Sequence, residues 1–424
     1  MFREYEGMGE WDFRGVDTKE YTHCFHIYPA MMIPQIARKL IKQYGKRKGL
    51  LFDPYCGTGT SLVEARLFGM DAAGTDLNPT ARMIAEAKSR DYEAQRLEED
   101  VRTFLEGLEE ELGETDNYDS FDAPEKVSFE RLEDWFPVAT IGEICHCIDR
   151  ISEVEDESSR AFISIALSEC LRLVSFQRNG EFKLYRIPAN QRDDHYVPLY
   201  PLLDNRISRN MEGCKSFRES VSPDTSAAVY GFNTVDSAGV EEMGANPDLV
   251  VTSPPYGDSG TTVAYAQFSW LTNVWLGLEG SPAGALDREL MGGRKQEIEK
   301  FDFQPMDDAI GAIAEESETR ASEVMHFYSE YNKSISNVAS AIAEGGYSCY
   351  VVGNRTVKGT QLPTDLFTAW SFEQCGFTHE KTYIREIPNK RMPSRNSPSN
   401  VTGQTSSTMT NEYIVVCRKK KQLE

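Results

Sequence analysis

Apolar positions follow two rhythms along this chain. Short unbroken runs such as Leu50-Leu51-Phe52, Leu249-Val250-Val251 and Tyr347 to Val352 stop at turns rich in glycine, proline or aspartate. Such runs read as strands buried on both faces. Between them, apolar residues recur every three or four positions, the spacing of one helix face. Ile33, Ile36, Ala37, Leu40, Ile41 and Tyr44 mark a helix from about Pro34. Further helices are expected from about Ser61 to Gly69, over 79–88, 265–276, 321–343 and 364–375, with a strand at 71–75. The final strands, Lys381–Ile387 and Asn411–Arg418, read as an antiparallel pair. Alternating strands and helices predict an α/β fold around a largely parallel sheet.

The alternation breaks between residues 95 and 225. Leu97, Val101, Leu105, Leu108 and Leu112 predict an acidic amphipathic helix, and Ile141, Ile144, Ile148 and Ile151 predict another. A long apolar helix is expected over 158–176, capped by Ser158 or Ser159. The third strand returns only at 229–235 and ends in Asp236-Ser237. The chain therefore divides into 1–94, a mainly helical insertion at 95–225 with its own core helices, and 226–424. Residues 1–20 read as a partly ordered arm. The polar, acidic stretch 278–320 reads as a lid or a surface excursion.

Two strand ends carry chemistry. Leu50-Leu51-Phe52-Asp53-Pro54-Tyr55-Cys56-Gly57-Thr58-Gly59-Thr60 runs from a strand through a glycine turn into a helix. Gly57 and Gly59 allow a tight turn and a close approach to a ligand. Asp76 ends the next strand, where a carboxylate is placed to accept two ribose hydroxyls. The spacing is neither Gly-x-Gly-x-x-Gly nor a P-loop, which disfavours a dinucleotide or a bound triphosphate. The second strand end is Thr252-Ser253-Pro254-Pro255-Tyr256. Two prolines lock two φ angles and remove two donors, so the Ser253 and Pro254 carbonyls keep fixed directions. With the Ser253 hydroxyl and the Tyr256 ring, these acceptors suit an exocyclic amine on a flat base.

Together the two segments resemble the S-adenosylmethionine-dependent amino-group DNA methyltransferases. The resemblance covers most of the chain outside roughly 95–225. It implies a Rossmann-like class I methyltransferase sheet with a C-terminal antiparallel hairpin and a helical inserted domain. It also implies S-adenosylmethionine as cofactor and no metal. The stretch from Asp53 and Pro54 through Cys56, Gly57, Gly59 and Thr60 looks like the family's cofactor loop. Asp53 would orient the cofactor's amino-acid end, Asp76 would hold its ribose and Asp236 its adenine amine, with Asn78 also in the cofactor site. His26, Tyr28 and Pro29 match a segment that closes over the methionine end, although His26 also suits a packing role. Ser253, Pro254, Pro255 and Tyr256 look like the catalytic motif. Serine at its head is commoner in cytosine-N4 enzymes and aspartate in adenine-N6 enzymes. RNA guanine-N2 enzymes share a similar motif, but they carry an appended RNA-binding module rather than an internal block. A C5-cytosine enzyme would need a Pro-Cys dipeptide at the active loop, and none stands there.

Composition complicates this picture. The chain has 424 residues and a net charge of −22, unfavourable for contacts with phosphates. A halophilic source accounts for such an acidic surface. Residues 176–218 oppose the trend, with eight basic and five acidic residues. Arg178, Lys183 and Arg186, interleaved with Phe182, Tyr185 and Tyr196, suit a surface that meets duplex DNA. The Pro388–Ser397 loop adds Lys390, Arg391 and Arg395 with no acid. A cognate restriction endonuclease is a further possible partner. Nine cysteines lie without framework spacing, and Cys145-His146-Cys147 lacks a second ligand pair. No signal peptide or membrane span is apparent, so a reducing cytoplasm is expected.

Overall fold

The computed structural model describes residues 5–6, 9–114, 132–178, 182–192, 194–257, 263–278, 286, 288–292, 300–387, 395–396, 406–407 and 409–421. Its eight-stranded sheet comprises β1 (Tyr5–Glu6), β2 (Leu50–Asp53), β3 (Asp71–Thr75), β4 (Ala227–Tyr230), β5 (Leu249–Thr252), β6 (Tyr347–Val352), β7 (Phe377–Glu386) and β8 (Asn411–Lys419). The order is β1-β7-β8-β6-β5-β2-β3-β4. Strands β2 to β6 pair parallel, and β8 lies antiparallel between β6 and β7. From β2 the chain moves outward through β3 and β4, then returns to place β5 on the other side of β2. That reversal makes a topological switch point, where ligands bind outside the strands' carboxyl ends.

Alternate residues of each strand feed opposite layers. Leu51, Leu249, Val251, Val351 and Val416 face α1 (Pro34–Tyr44) and α2 (Thr60–Phe68). Phe52, Val250, Tyr350, Val352 and Val415 face the other layer: α9 (Gln304–Glu316), α10 (Glu318–Ala341) and α11 (Thr364–Gln374). The near-continuous apolar runs follow from this double coverage. Helix α1 begins with Pro34 in its first turn, where no backbone donor is lost. Helix α3 (Pro79–Ser89) does the same and is capped by Asn78, whose side chain accepts the Thr80 N–H.

A third cluster joins α3 and α8 (Tyr265–Trp275) to α4 (Ala94–Glu114), α5 (Val138–Glu153), α6 (Glu157–Val174) and α7 (Leu199–Ser220). Its buried members include Phe25 and Tyr28 from the N-terminal segment, Ile84 from α3 and Phe268 from α8. The helical block thus shares its core with the elements around the switch point.

Several sequence expectations shift. Helix α6 is capped by Asp156, which accepts the Ser159 N–H at 2.7 Å, not by Ser158 or Ser159. The third strand occupies 227–230 rather than 229–235. The 278–320 stretch contains α9, whose Met306, Ala309, Ile310 and Ile313 are buried against the α10 layer. In the expected arm, Trp11 is 1% exposed and packs on Tyr383 at 4.7 Å between ring centres. Near the start of the basic stretch, Gln177 and Arg186 form an isolated antiparallel bridge.

Candidate active site

The carboxyl ends of β2, β3 and β5 meet at one cleft, enclosing about 1070 Å³ of empty space with its open mouth included. Tyr28, Pro29, Asp53, Pro54, Cys56, Gly57, Thr60, Asp76, Asn78, Ser253 and Pro255 all line it. Segments separated by some 200 positions converge because parallel strands of one sheet end on the same side.

The glycine turn is built to stay open. Gly57 and Gly59 have φ of +49° and +74°, the left-handed region. A Cβ at Gly59 would stand 3.0 Å from the Ala85 backbone, so Gly59 lies behind the wall and lets α2 approach α3. A Cβ at Gly57 would meet nothing within 4 Å. The turn is tied to β3 by the Cys56 N–H on the Thr75 carbonyl at 3.0 Å. The Gly57 N–H donates to Asp76 Oδ2 at 3.0 Å, and the Asn78 N–H to Oδ1 at 2.8 Å. A carboxylate offers about four lone-pair sites, so acceptor capacity remains.

Asp53 is 3% exposed. Its Oδ1 accepts from the Thr252 hydroxyl at 2.5 Å and the Tyr55 N–H at 3.2 Å. Burial pushes its pKa up to about 6 despite these bonds. Burial also raises Asp76, against the pull of the Asn78 and Gly57 N–H groups. The Cys56 thiol is raised well above its ordinary value by burial, then by Asp76 and Asp53, so it stays protonated.

Asn78 organises the opposite wall. Its Nδ2 donates to the Tyr28 hydroxyl and to Ser269 Oγ, both at 2.7 Å. Tyr28 stacks on Tyr265 with ring centres 6.0 Å apart. His26 is buried, with Nδ1 donating to the Ile27 carbonyl at 2.6 Å, and burial lowers its pKa.

Beyond β5, Ser253 and Pro255 line the cleft, Pro254 between them is buried and Tyr256 next to them is half-buried. The Tyr256 hydroxyl lies 3.3 Å from Ser253 Oγ and donates to Glu412 Oε1 at 3.0 Å. Burial, then the Glu412 carboxylate, raises its pKa well above the ordinary tyrosine value, so it keeps its proton.

Asp236 is not brought to the cleft. Its side chain is 52% exposed and lies 3.9 Å from Lys333 Nζ. Because β4 ends at Tyr230, it is Phe232, Asn233 and Thr234 that reach the lining. Leu290 and Met291, inside the supposed excursion, close another side. The Gly292 N–H beside them is anchored to Glu330 at 2.6 Å. An aromatic followed by an amide just past a strand was the available signal for Phe232 and Asn233.

Among the basic candidates, Arg178 and Lys183 are exposed. Arg186 is drawn inward, 3.4 Å from Asp134 and 5.0 Å from the Trp135 ring centre. Lys390 and Arg391 lie outside the described residues, and Arg395 sits in a two-residue strand paired with Ser406–Ser407.

Residues 19–106 match the family described as an RMKL-like methyltransferase domain. A much longer match is to the type II methyltransferase M.MvaI of Kocuria varians. Identity is 35% over 427 residues, covering 96% of this chain and 93% of the relative. The chain belongs to the type II methyltransferase family. A shorter stretch of this methyltransferase, 52 residues, is 40% identical to a tRNA (guanine(10)-N2)-dimethyltransferase of Methanothermobacter thermautotrophicus. It covers 12% of the chain and 16% of that relative. Among solved structures, the rRNA methyltransferase aviRa of Streptomyces viridochromogenes aligns over 92% of the chain and 86% of its own length, at 11% identity and a TM-score of 0.33. No helix among the methyltransferase's described residues is long and apolar enough to cross a membrane.

Proposed function

We propose that this methyltransferase transfers a methyl group from S-adenosylmethionine to the exocyclic N4 amine of cytosine in duplex DNA, at a specific site. The observation that carries this reading is the convergence of Asp53, Asp76 and Ser253 on one cleft, each at the end of a neighbouring parallel strand.

The residues present fit the cofactor. The Thr58 hydroxyl in the cleft is buried with no hydrogen-bond partner among the described residues. The space beside Gly57 is open, and Asp76 retains acceptor sites. In this reading Asp76 holds the ribose hydroxyls, Asp53 the amino-acid end, and Phe232 with Asn233 border the adenine. The cofactor supplies an electrophilic methyl group. The chain's own task is to present the amine. An exocyclic cytosine amine is a poor nucleophile because its lone pair is delocalised into the ring. The Ser253 hydroxyl and Pro254 carbonyl accept its N–H bonds, favour pyramidal nitrogen and carry the positive charge that develops. The base must leave the duplex to arrive there, and the Tyr256 ring is its stacking platform.

Duplex contact is supported by a turn beside the cleft. Phe182 and Tyr185 are 39% and 49% exposed, next to exposed Lys183. The turn is anchored on α8: the Leu184 N–H donates to Gln267 Oε1, and Phe182 lies 6.0 Å from Phe268. Helix α8 also supplies Tyr265 to the cleft. The 95–225 block is thus the proposed target-recognition region. A cytoplasmic, high-salt source agrees with the net charge of −22, and strong salt would shift DNA binding from phosphates toward stacking and shape.

The test is direct. Purified protein is incubated with S-adenosylmethionine and mixed-sequence duplex DNA, and the DNA is digested to nucleosides for mass spectrometry. N4-methylcytosine is the expected product. N6-methyladenine alone would overturn the cytosine assignment. Methyl transfer into tRNA but not duplex DNA would overturn the DNA reading. Protection of the product from one endonuclease would reveal the site and a cognate nuclease.

A pH dependence follows from Asp53. A cation beside it favours the ionised carboxylate, which at a pKa of about 6 is lost on acidification. S-adenosylmethionine affinity should rise with pH through about 6 and level off above it, measured by calorimetry. A flat profile would remove Asp53 from the cofactor's ammonium group.

A further inference from the structure

Tyr256 is held from behind by a buried ion pair. Glu412, which accepts its hydroxyl hydrogen at 3.0 Å, is also paired with the Arg385 guanidinium. Glu412 and Arg385 stand opposite each other in the β8–β7 register. Their side chains are 15% and 8% exposed. Arg385 Nε donates to the Trp11 carbonyl at 3.1 Å, which pins the guanidinium to the buried N-terminal segment. The tyrosine ring is also confined: a Cβ at Gly353, just past β6, would stand 2.9 Å from Tyr256 Cδ2.

Donor counting gives this chain a direction. A carboxylate has no hydrogen to give, so the single hydroxyl hydrogen of Tyr256 is committed to Glu412. The 3.3 Å contact between Ser253 Oγ and the Tyr256 oxygen can then be a hydrogen bond only if Ser253 donates. A serine whose hydrogen is turned inward presents only lone pairs to the cleft. That is the polarity required of a group that accepts N–H bonds from an amine. Without the Glu412 acceptor, Tyr256 is free to donate to Ser253, and the serine hydrogen then points at the amine's own hydrogens.

The geometry points to Glu412 as a positioning residue that sets hydrogen-bond direction through Tyr256 to Ser253, with Arg385 fixing the carboxylate. This inference rests on the proposed role of Ser253 as acceptor for the substrate amine.

Two substitutions test it in the full chain. Tyr256→Phe removes the hydroxyl and keeps the ring. Glu412→Gln removes the obligate acceptor and nearly keeps the shape. Each should lower kcat about tenfold or more, as removal of a group that orders transition-state hydrogen bonds does, while S-adenosylmethionine affinity stays unchanged by calorimetry. Because both act through one hydroxyl, the double variant should be no slower than the slower single. Wild-type kcat in Tyr256→Phe overturns the inference, whether or not Glu412→Gln folds. Losses that multiply in the double variant also overturn it, since they assign independent roles. A wild-type protein that methylates no duplex DNA overturns the proposed function and this inference with it, so the wild-type control separates the two failures.

Discussion

Asp76→Ala should weaken S-adenosylmethionine binding about 100-fold while the protein still binds DNA. Two effects combine. The ribose loses an ionised acceptor, and hydrogen bonds to charged groups are worth about 1.5–3 kcal/mol each. The glycine turn also loses its tether, because the same carboxylate holds the Gly57 and Asn78 N–H groups. Asp76→Asn keeps one side-chain oxygen and should fall between. Calorimetry with the purified variants measures both. An unchanged dissociation constant for the alanine variant would show that the cofactor does not lie on this carboxylate.

The second large effect is on stability. Glu64 on α2 has a side chain 1% exposed and accepts from Arg38 Nε at 2.8 Å, Arg38 Nη2 at 2.9 Å and His23 Nε2 at 3.0 Å. Glu64→Ala should cost about 3–5 kcal/mol, since it strands the partners of a buried pair. Burial alone would raise the Glu64 pKa, but the His23 and Arg38 hydrogen bonds outweigh it and hold it low. Burial holds His23 down at about 4 despite the Glu64 hydrogen bond. The unfolded chain therefore takes up a His23 proton before the folded one does. Wild-type stability should fall as pH drops from about 6.5 towards 4, and further as Glu64 protonates below its unfolded value of about 4.3. Urea titrations at several pH values check this. A loss below about 1 kcal/mol in Glu64→Ala would mean that apolar packing alone holds α1 on α2.

The two strand-end motifs were legible because their constraints are local. Left-handed glycines and a proline pair force backbone geometry whatever surrounds them. Asp236 was misplaced because strand length is set by pairing: β4 pairs with β3 only from Ala227 to Tyr230. Helix α9 carried its signal, with Pro305 in the first turn and Met306, Ala309, Ile310 and Ile313 on one face, but acidic neighbours gave it the look of a loop. Helix α7 was hidden in a stretch read for its positive charge. Leu199, Leu203, Ile207 and Phe217 are buried there, and Arg206 and Arg209 turn onto the buried Glu169 at 3.2 and 2.5 Å. Charge counted along a sequence does not separate a cation facing solvent from one spent inside.

The cluster joining α4 to α7 with Tyr28, α3 and α8 bears on engineering. A recognition module that is a separate body can be exchanged between relatives at two linker cuts. Here the block's apolar residues interlock with side chains that also wall the cleft. A transplanted 95–225 segment meets foreign surfaces on α3 and α8, and misfit there is transmitted to Tyr28 and Asn78. On the proposed role of the 95–225 block in target recognition, retargeting this enzyme calls for changes on exposed turns such as 182–186, with the helices beneath left in place.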